Sequence, residues 1–305
     1  MKKYIWLFLI AVFFAPLALK QATAEAVEVL KIKHVISVYS DEKGAGLARP
    51  DGVGCGGGSL VVSDTGNGRL LLYTLQEGKI SGGTEMKSDQ LEEPLRARIN
   101  SKKQIFVLDG KKRRISLFAE DGSFRGLLEP SGLPGTTPVP RSFFIDREDN
   151  LYLLDLSSGS VLILDPEGKY VRHIALPEDG GFFSDVAVDF RGNILLLDSL
   201  KGQVYAAQKD AEGFSPLTNS RPEGLKFPTS ISSDSSGRLY ILDQNGGEIF
   251  ILGPDGTLKA HLSKLGWKEG ELYYPSDLCL DPAASDLFIA DRNNNRVQYF
   301  KLELQ

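Results

Sequence analysis

Histidine and cysteine are scarce in this sequence, although they are the residues that most often bind transition metals or act as catalytic bases and nucleophiles. The 305-residue chain has three histidines, His34, His173 and His261, and two cysteines, Cys55 and Cys279. Two cysteines are too few for a zinc site made of thiolates. The sequence also has no nucleophile–base pair, phosphate-binding loop or cofactor motif. It therefore carries no signature of a known catalytic centre.

An excess of positive charge is also missing. The 35 lysines and arginines are outnumbered by 40 aspartates and glutamates, which gives a net charge of −5. Nucleic-acid binding depends on a basic face, and attraction to an anionic membrane depends on basic clusters. We therefore expect neither nucleic acid nor an anionic membrane surface among the partners.

Long apolar runs are confined to the amino terminus. Lys2 and Lys3 precede an apolar run that is shorter than the roughly 20 residues of a spanning helix, and Ala22-Thr23-Ala24 fits a small-residue cleavage site. We interpret residues 1–24 as a cleaved secretory signal, with an uncleaved anchor as the alternative. No later segment is apolar enough to cross a membrane. Export predicts a periplasmic or secreted protein.

What the sequence does contain is a repeat. A short apolar run that ends in aspartate occurs six times, and successive aspartates are 43 to 48 residues apart. The aspartates are Asp64, Asp109, Asp155, Asp198, Asp243 and Asp291. A proline precedes the aspartate in five repeats, at Pro50, Pro94, Pro140, Pro228 and Pro275, and Phe183 takes that place in the fourth. A period of about 45 residues with four strands is typical of propeller blades.

Each unit contains four apolar runs bounded by turn residues, which predicts four short strands. The sixth repeat ends after its third strand, while the segment from Leu30 to Tyr39 supplies a strand before the first repeat. We predict that this strand completes the sixth blade and closes the ring, because closure removes exposed sheet edges. The predicted fold is an all-β, six-bladed β-propeller over residues 25–305. Its blades are expected at about 47–89, 90–132, 133–178, 179–224, 225–270, and 271–305 with 29–44.

The repeat resembles a known family. Asp64-Thr-Gly-Asn-Gly-Arg69-Leu70 and Asp291-Arg-Asn-Asn-Asn-Arg296-Val297 are its clearest copies. A proline, a short strand, an apolar run ending in aspartate, an Asn-rich turn and Arg-aliphatic together resemble the NHL repeat. The resemblance covers essentially residues 25–305 and implies a six-bladed propeller. It implies no single function, because the family includes protein-binding, RNA-binding and lyase propellers, and sugar-lactone hydrolases share a related architecture.

The repeat aspartates and the histidines are expected to have no catalytic role. An aspartate at a strand end accepts backbone N–H bonds in the following turn, a task that every blade needs. The resemblance implies that the lyases bring histidines together at the central tunnel to hold zinc. Here all three histidines fall on predicted fourth strands, the outermost of each blade, and should therefore not meet at the axis.

The candidate ligand-binding residues lie at the mouth of the tunnel, which the first strands are predicted to line. They are Asp51, Arg96, Arg141, Asp185 and Asp277, each one or two places after the proline position. The aspartates are potential oxygen ligands for calcium, resembling the tunnel metal of the lactone hydrolases, whereas the arginines would oppose a cation. We therefore expect a polar mouth with Arg–Asp pairs and no cofactor, with a calcium site as the alternative.

Aromatic residues also gather where the chain enters the blades. The group is Phe143, Phe144, Phe182, Phe183, Phe227, Tyr273 and Tyr274. We expect packing between blades, with a partner-binding surface at one end of the tunnel as the alternative.

Cys55 and Cys279 fall on the first strands of blades one and six, which are neighbours in a closed ring. Their positions have opposite parity, as facing surfaces of adjacent blades require. A disulfide, which an oxidising compartment would preserve, and two separate buried cysteines both fit this placement.

The leading hypothesis is an exported, monomeric propeller that binds a protein, peptide or glycan of the cell envelope through one loop face. The alternative is a metal-dependent hydrolase or lyase that uses Asp185 and Asp277 in the tunnel.

Overall fold

The computed structural model describes residues 30–281 and 285–304, and the predicted signal at residues 1–24 lies outside these ranges. The described residues form six four-stranded antiparallel sheets. The only helical segments within them are two single-turn 3₁₀ segments, Thr65–Asn67 and Arg292–Asn294. No helix in the described part is long and apolar enough to span a membrane.

Each sheet is one blade; in five of them the strands follow in sequence order from the axis outward, and in the sixth the outermost strand comes from the amino-terminal segment. The first strands are Gly52–Gly56, Pro94–Ile99, Pro140–Ile145, Phe183–Val188, Pro228–Ser233 and Asp277–Asp281. The second strands are Ser59–Asp64, Ile105–Asp109, Leu151–Asp155, Ile194–Asp198, Leu239–Asp243 and Asp286–Asp291. The third strands are Arg69–Gln76, Arg114–Phe118, Ser160–Leu164, Gln203–Ala207, Glu248–Leu252 and Arg296–Leu304. The outermost strands are Lys79–Met86, Phe124–Leu127, Tyr170–Ala175, Ser215–Pro216, Leu258–Leu262 and, for the sixth blade, Leu30–Val38.

The burial of the strands explains why their sequences are apolar without alternation. Every residue of the second strand Leu239–Asp243 is buried, because both faces of the sheet are covered by neighbouring blades. The outermost strand Tyr170–Ala175 instead alternates between exposed and covered residues. Near the axis, both faces of each blade are therefore covered by protein, whereas at the rim one face contacts solvent.

The hydrophobic core is divided into six apolar clusters, one at each interface between adjacent blades. At the interface of blades three and four, Leu154 and Val161 pack against Val186 and Leu196. Burying one such side chain stabilises the fold by about 1.5–3 kcal/mol. The blades thus hold each other in place through contacts between nearest neighbours.

The ring closes as the sequence predicts. The strand Leu30–Val38 pairs antiparallel with Arg296–Leu304, with His34 opposite Phe300 and Val38 opposite Val297. The segment that follows this strand is also anchored, since the Arg69 guanidinium donates to Asp41 at 2.7 Å. The amino-terminal segment therefore joins the sixth blade to the first.

A disulfide between Cys55 and Cys279 links the first strands of the same two blades. Their Cα atoms are 5.9 Å apart, and 224 residues separate them in the sequence. Of the two arrangements that the sequence leaves open, the structure has the bonded one. The ring is covalently joined where the ends of the chain meet.

The six repeat aspartates are at most 1% exposed and tie each blade together at one end. Asp198 accepts hydrogen bonds from the backbone N–H groups of Gly181, Phe182, Leu200 and Lys201 at 2.8–3.1 Å. It thereby joins the segment that enters the blade to the turn after the second strand. The structural role expected of these aspartates is confirmed.

Candidate functional site

The propeller has two faces, which we name by the chain segments they carry. The connection face carries the segments that join successive blades and the turns between second and third strands. The hairpin face carries the turns between first and second strands and between third and fourth strands. The first strands run from the connection face to the hairpin face, so their first residues lie at the mouth of the tunnel on the connection face.

Three of the predicted site residues, Arg96, Asp185 and Asp277, meet at the axis just below this mouth. Nη1 of Arg96 lies 2.7 Å from Oδ1 of Asp277 and 3.4 Å from Oδ2 of Asp185. Ser230 Oγ lies within 3.0 Å of both carboxylates, and Ser142 donates to Asp185. We call these five residues and Arg98 the buried layer.

Arg98 is a member of the buried layer that the sequence analysis missed. Its Nη1 lies 3.0 Å from Oδ2 of Asp277. It follows Arg96 by two positions on the same strand, so the period of two places both side chains on one face of the sheet. That periodicity was the signal that could have identified it.

The charges of the buried layer stabilise one another. Burial alone would raise the pKa of Asp277, but the positive charges of Arg98 and Arg96 outweigh it and hold that pKa below its ordinary value. Burial likewise opposes the charge on Arg98, yet Asp277 raises the pKa of this guanidinium. Both aspartates are completely buried. Removing one partner would leave an uncompensated charge in the interior.

The first blade contributes no side chain to the buried layer because its residue there is Gly52. A Cβ on Gly52 would lie 2.1 Å from the carbonyl oxygen of Leu95 in the second blade. The first strands of blades one and two thus approach each other more closely than any residue other than glycine at position 52 would allow.

One place earlier on the first strands, three polar side chains each have a buried atom that makes no hydrogen bond to a described residue. They are Arg141, Ser184 and Thr229, in blades three, four and five. Within residues 30–281 and 285–304, Nε of Arg141, Oγ of Ser184 and Oγ1 of Thr229 are buried and make no hydrogen bond. We call these three residues the mouth layer.

Each residue of the mouth layer occupies a β-bulge. The pairing of first and second strands skips Arg141 between Pro140 and Ser142, and it skips Ser184 and Thr229 in the same way. A bulge re-aims the side chain of its extra residue and is frequent at the rims of barrels and beside active sites. The residues that follow them, Ser142, Asp185 and Ser230, are hydrogen-bonded across the three blades. The three residues of the mouth layer therefore lie in neighbouring blades of the ring.

Of the other three blades, the first and the sixth carry a polar residue with a partner at this position, and the second carries Leu95. Asp51 lies 2.8 Å from Nε of Arg292, and burial raises the pKa of Asp51 although Arg292 opposes the shift. Ser276 Oγ donates to the carbonyl of Pro50 at 3.2 Å. Asp51 is thus separate from Arg96, Asp185 and Asp277.

Arg141 is the charged member of the mouth layer, and it has no ion pair among the described residues. Its guanidinium carbon lies 4.1 Å from the centre of the Phe182 ring, and Phe182 lies 6.4 Å from Phe227. Burial, with no acid beside it, lowers the pKa of Arg141. An arginine stacked on an aromatic ring thus borders the mouth.

The remaining aromatic residues of the predicted group divide between core and surface. Phe143 is fully buried, and Phe183 packs against Tyr205 with ring centres 5.9 Å apart. Tyr273 and Tyr274 are exposed on the connection face. Neither of the two expectations, packing between blades or a partner-binding surface, describes the whole group.

The histidines lie on outermost strands, as expected. His34 Nε2 lies 2.8 Å from Glu269, His173 Nδ1 lies 2.7 Å from the Tyr170 hydroxyl, and His261 Nδ1 lies 3.1 Å from Glu248. Burial lowers the pKa of His34, with Glu269 acting in the opposite direction. In the part of the chain that the structure describes, no three His, Cys, Asp or Glu side chains are grouped so that they could hold a metal ion.

The hairpin face has a cavity of about 490 Å³ that the sequence analysis did not anticipate. Its lining includes Arg98, Phe144, Ile231 and the Cys55–Cys279 disulfide. The predicted site residues lie at the start of the first strands, whereas this cavity lies at the other end of the same strands. Phe144 belongs here and not on the connection face.

Comparisons with known proteins agree with this architecture. The NHL repeat model matches residues 272–300, in the sixth blade. The chain is a six-bladed β-propeller that carries an NHL repeat. A comparison with curated proteins found no match.

The propeller is similar to several solved structures. A virginiamycin B lyase from Staphylococcus aureus has 11% identity and a TM-score of 0.60, with 90% of this chain and 100% of that chain covered. A gluconolactonase from Xanthomonas campestris has 15% identity and a TM-score of 0.65, with 89% of both chains covered. A nidogen/laminin complex has 20% identity and a TM-score of 0.58, with 75% of this chain and 86% of that chain covered. At these identities the likeness concerns the fold alone.

Proposed function

We propose that this propeller is an exported binding module that holds a polypeptide partner on its connection face. The supporting observation is a set of exposed apolar side chains on that face. Seven of them are 37% to 75% exposed: Leu156, Phe182, Leu200, Leu265, Trp267, Tyr273 and Tyr274. Exposed apolar groups that share one face of a domain are typical of interaction sites.

The types of side chain favour a polypeptide over a glycan. Aromatic rings stack on sugars, but the three leucines offer apolar area that suits the side chains of another protein. Interfaces between proteins are enriched in Tyr, Trp, Phe and Arg at their centres. Arg141 with Phe182, and Tyr273 with Tyr274, supply this combination around the mouth of the tunnel.

The alternative is a metal-dependent hydrolase or lyase with Asp185 and Asp277 as ligands. In the buried layer these carboxylates already interact with Arg96 and Arg98, at distances as short as 2.7 Å. A cation would have to displace two guanidinium groups and would face their repulsion. The arrangement therefore favours a structural role for these residues.

The experiment that tests the proposal is a selection of peptides from a random library displayed on phage, with each peptide fused through its carboxyl end. Wild-type protein should enrich a recurrent apolar motif. Phe182→Ser with Leu200→Ser and Tyr273→Ser should lose binding of that motif. A control variant, Val171→Ser with Leu258→Ser, removes equally exposed apolar groups from the rim and should retain it.

Enrichment of no motif, or equal binding by the two variants, would contradict the proposal. The metal alternative is tested separately by thermal unfolding in EDTA and then with calcium, magnesium or zinc. An ion at a hundred times its dissociation constant would stabilise the protein by about 2.7 kcal/mol. A rise in the unfolding temperature with one ion, lost in Asp185→Asn, would favour the enzyme instead.

A further inference from the structure

The mouth layer presents hydrogen-bond donors without partners directly above the charged groups of the buried layer, which are paired with one another. Arg141, Ser184 and Thr229 each have a buried polar atom without a partner among the described residues. Ser184 is 8% exposed. Arg141 and Thr229 are half-buried. A buried polar group without a partner costs about 1–3 kcal/mol, so three such atoms in consecutive blades require an explanation.

The donors share one chemistry. A guanidinium donates several N–H bonds in a planar fork that matches a carboxylate, and each hydroxyl can donate one more. The mouth layer contains no acid, and the aspartates immediately below it are bonded to Arg96 and Arg98. A single partner that satisfied these donors together would be an acceptor that carries negative charge.

The surroundings of Arg141 limit the kind of anion. Phe182 lies under the guanidinium, and Phe227 lies next to Phe182, so apolar ring surface borders the donors on one side. A small inorganic anion would leave this surface uncovered. A carboxylate attached to an apolar group would satisfy the donors and cover the rings together.

We propose that Arg141, Ser184 and Thr229 form a subsite for a carboxylate of the polypeptide partner, with Phe182 and Phe227 contacting the apolar residue beside it. This inference rests on the proposed function and specifies its ligand. The carboxylate belongs either to the carboxyl terminus of the partner or to an aspartate or glutamate side chain.

Isothermal titration of the full folded protein with three probes distinguishes these sources. The probes are N-acetyl-leucyl-phenylalanine, its carboxyl-terminal amide, and N-acetyl-aspartyl-phenylalanine amide. Binding of the first probe but not the second indicates a terminal carboxylate, and binding of the third but not the second indicates a side-chain carboxylate. Equal affinity for all three probes, or binding of none, overturns the proposal.

The variants assign the carboxylate to the mouth layer. Arg141→Gln should weaken binding of the carboxylate probe about tenfold or more, because a charge-assisted pair is lost. Ser184→Ala and Thr229→Val, which keep the shape of the side chain, should each weaken it by a smaller factor. Arg191→Gln is the matched control, since Arg191 also lies over a ring, that of Phe190, but on the hairpin face, 5.0 Å away.

Binding that is unchanged in Arg141→Gln, or weakened equally in Arg191→Gln, would overturn the subsite. Thermal unfolding of each variant shows whether it is folded. If Arg141→Gln is not folded, Thr229→Val decides, with unchanged affinity overturning the proposal. The phage selection does not depend on a terminal carboxylate, so a motif that the connection face selects equally well with Arg141→Gln would leave the proposed function intact while refuting the subsite.

Discussion

The buried layer and the mouth layer are consecutive positions on the same strands, yet their polar groups are in opposite situations. Asp185 and Asp277 accept hydrogen bonds from several donors in other blades, and each is completely buried. Ser184, directly before Asp185, has a hydroxyl that makes no hydrogen bond to any described residue, and so has Thr229 directly before Ser230. The inner positions hold the ring together, and the proposed subsite assigns the outer ones to a ligand.

The substitution with the largest expected effect is Asp277→Asn in the buried layer. It removes the charge that balances Arg96 and Arg98, and breaking a buried ion pair from one side costs about 3–5 kcal/mol. Urea unfolding at neutral pH measures the loss. Asp179→Asn, whose carboxylate is exposed and paired with Lys201 at 2.8 Å, is the control and should cost far less, because exposed ion pairs contribute little to stability. Equal losses in the two variants would contradict the role given to the buried layer.

Loss of the disulfide should have the next largest effect. Replacing both cysteines, Cys55→Ser with Cys279→Ser, should lower the free energy of unfolding by about 2–4 kcal/mol, because the unfolded chain is no longer constrained. Thermal unfolding of the oxidised protein and the variant checks this. Since the disulfide lies away from the connection face, peptide binding by the folded variant should persist. Loss of binding would link the two faces in a way that this account does not predict.

The decrease in the free energy of unfolding at acid pH should depend on Asp277. Its pKa in the folded protein lies below the ordinary value of 3.8, so its contribution is complete above that pH. The contribution is lost as the pH falls from about 3.8 through the lower folded pKa, with a slope of at most about 1.4 kcal/mol per pH unit for one proton. Urea unfolding from pH 2 to 5 (roughly the range in which carboxylates titrate) should give a shallower curve for Asp277→Asn. Parallel curves would contradict the prediction.

The smallest effect is expected from Arg141→Gln in the mouth layer. Because the guanidinium has no ion pair among the described residues, and burial lowers its pKa, removing it should lower stability by no more than about 0.5 kcal/mol. Arg96→Gln, with the same change of side chain in the buried layer, is the comparison and should be clearly destabilising. Similar losses in both variants, measured by urea unfolding, would remove the distinction between the layers.

The sequence predicts the architecture well because the fold is periodic. Six aspartates at a regular spacing define six blades, and the unpaired strand after Leu30 predicts the closure that the structure has. The meeting of Arg96, Asp185 and Asp277 also follows from the register, since equivalent positions on first strands face the axis.

What the sequence could not predict depends on local departures from the repeat. The bulge at Arg141 shifts this residue out of register with Ser142, so its separation from the aspartates is not visible in the pattern. Parity allowed Cys55 and Cys279 to face each other, but only the packing of blades one and six sets the 5.9 Å between their Cα atoms. The cavity on the hairpin face has the same origin, because its size depends on how six turns are spaced around the axis.

The most direct test of the account compares the arginine Nε–H signals of the two layers by ¹H–¹⁵N NMR while N-acetyl-leucyl-phenylalanine is added. Lys substitutions at Arg141 and Arg98 assign the signals. The account predicts that the Arg141 signal shifts and saturates with the probe while the Arg98 signal, held by Asp277, stays in place. A shift of Arg98 without a shift of Arg141, or no shift of either, would contradict the claim that the mouth layer is the part open to a ligand.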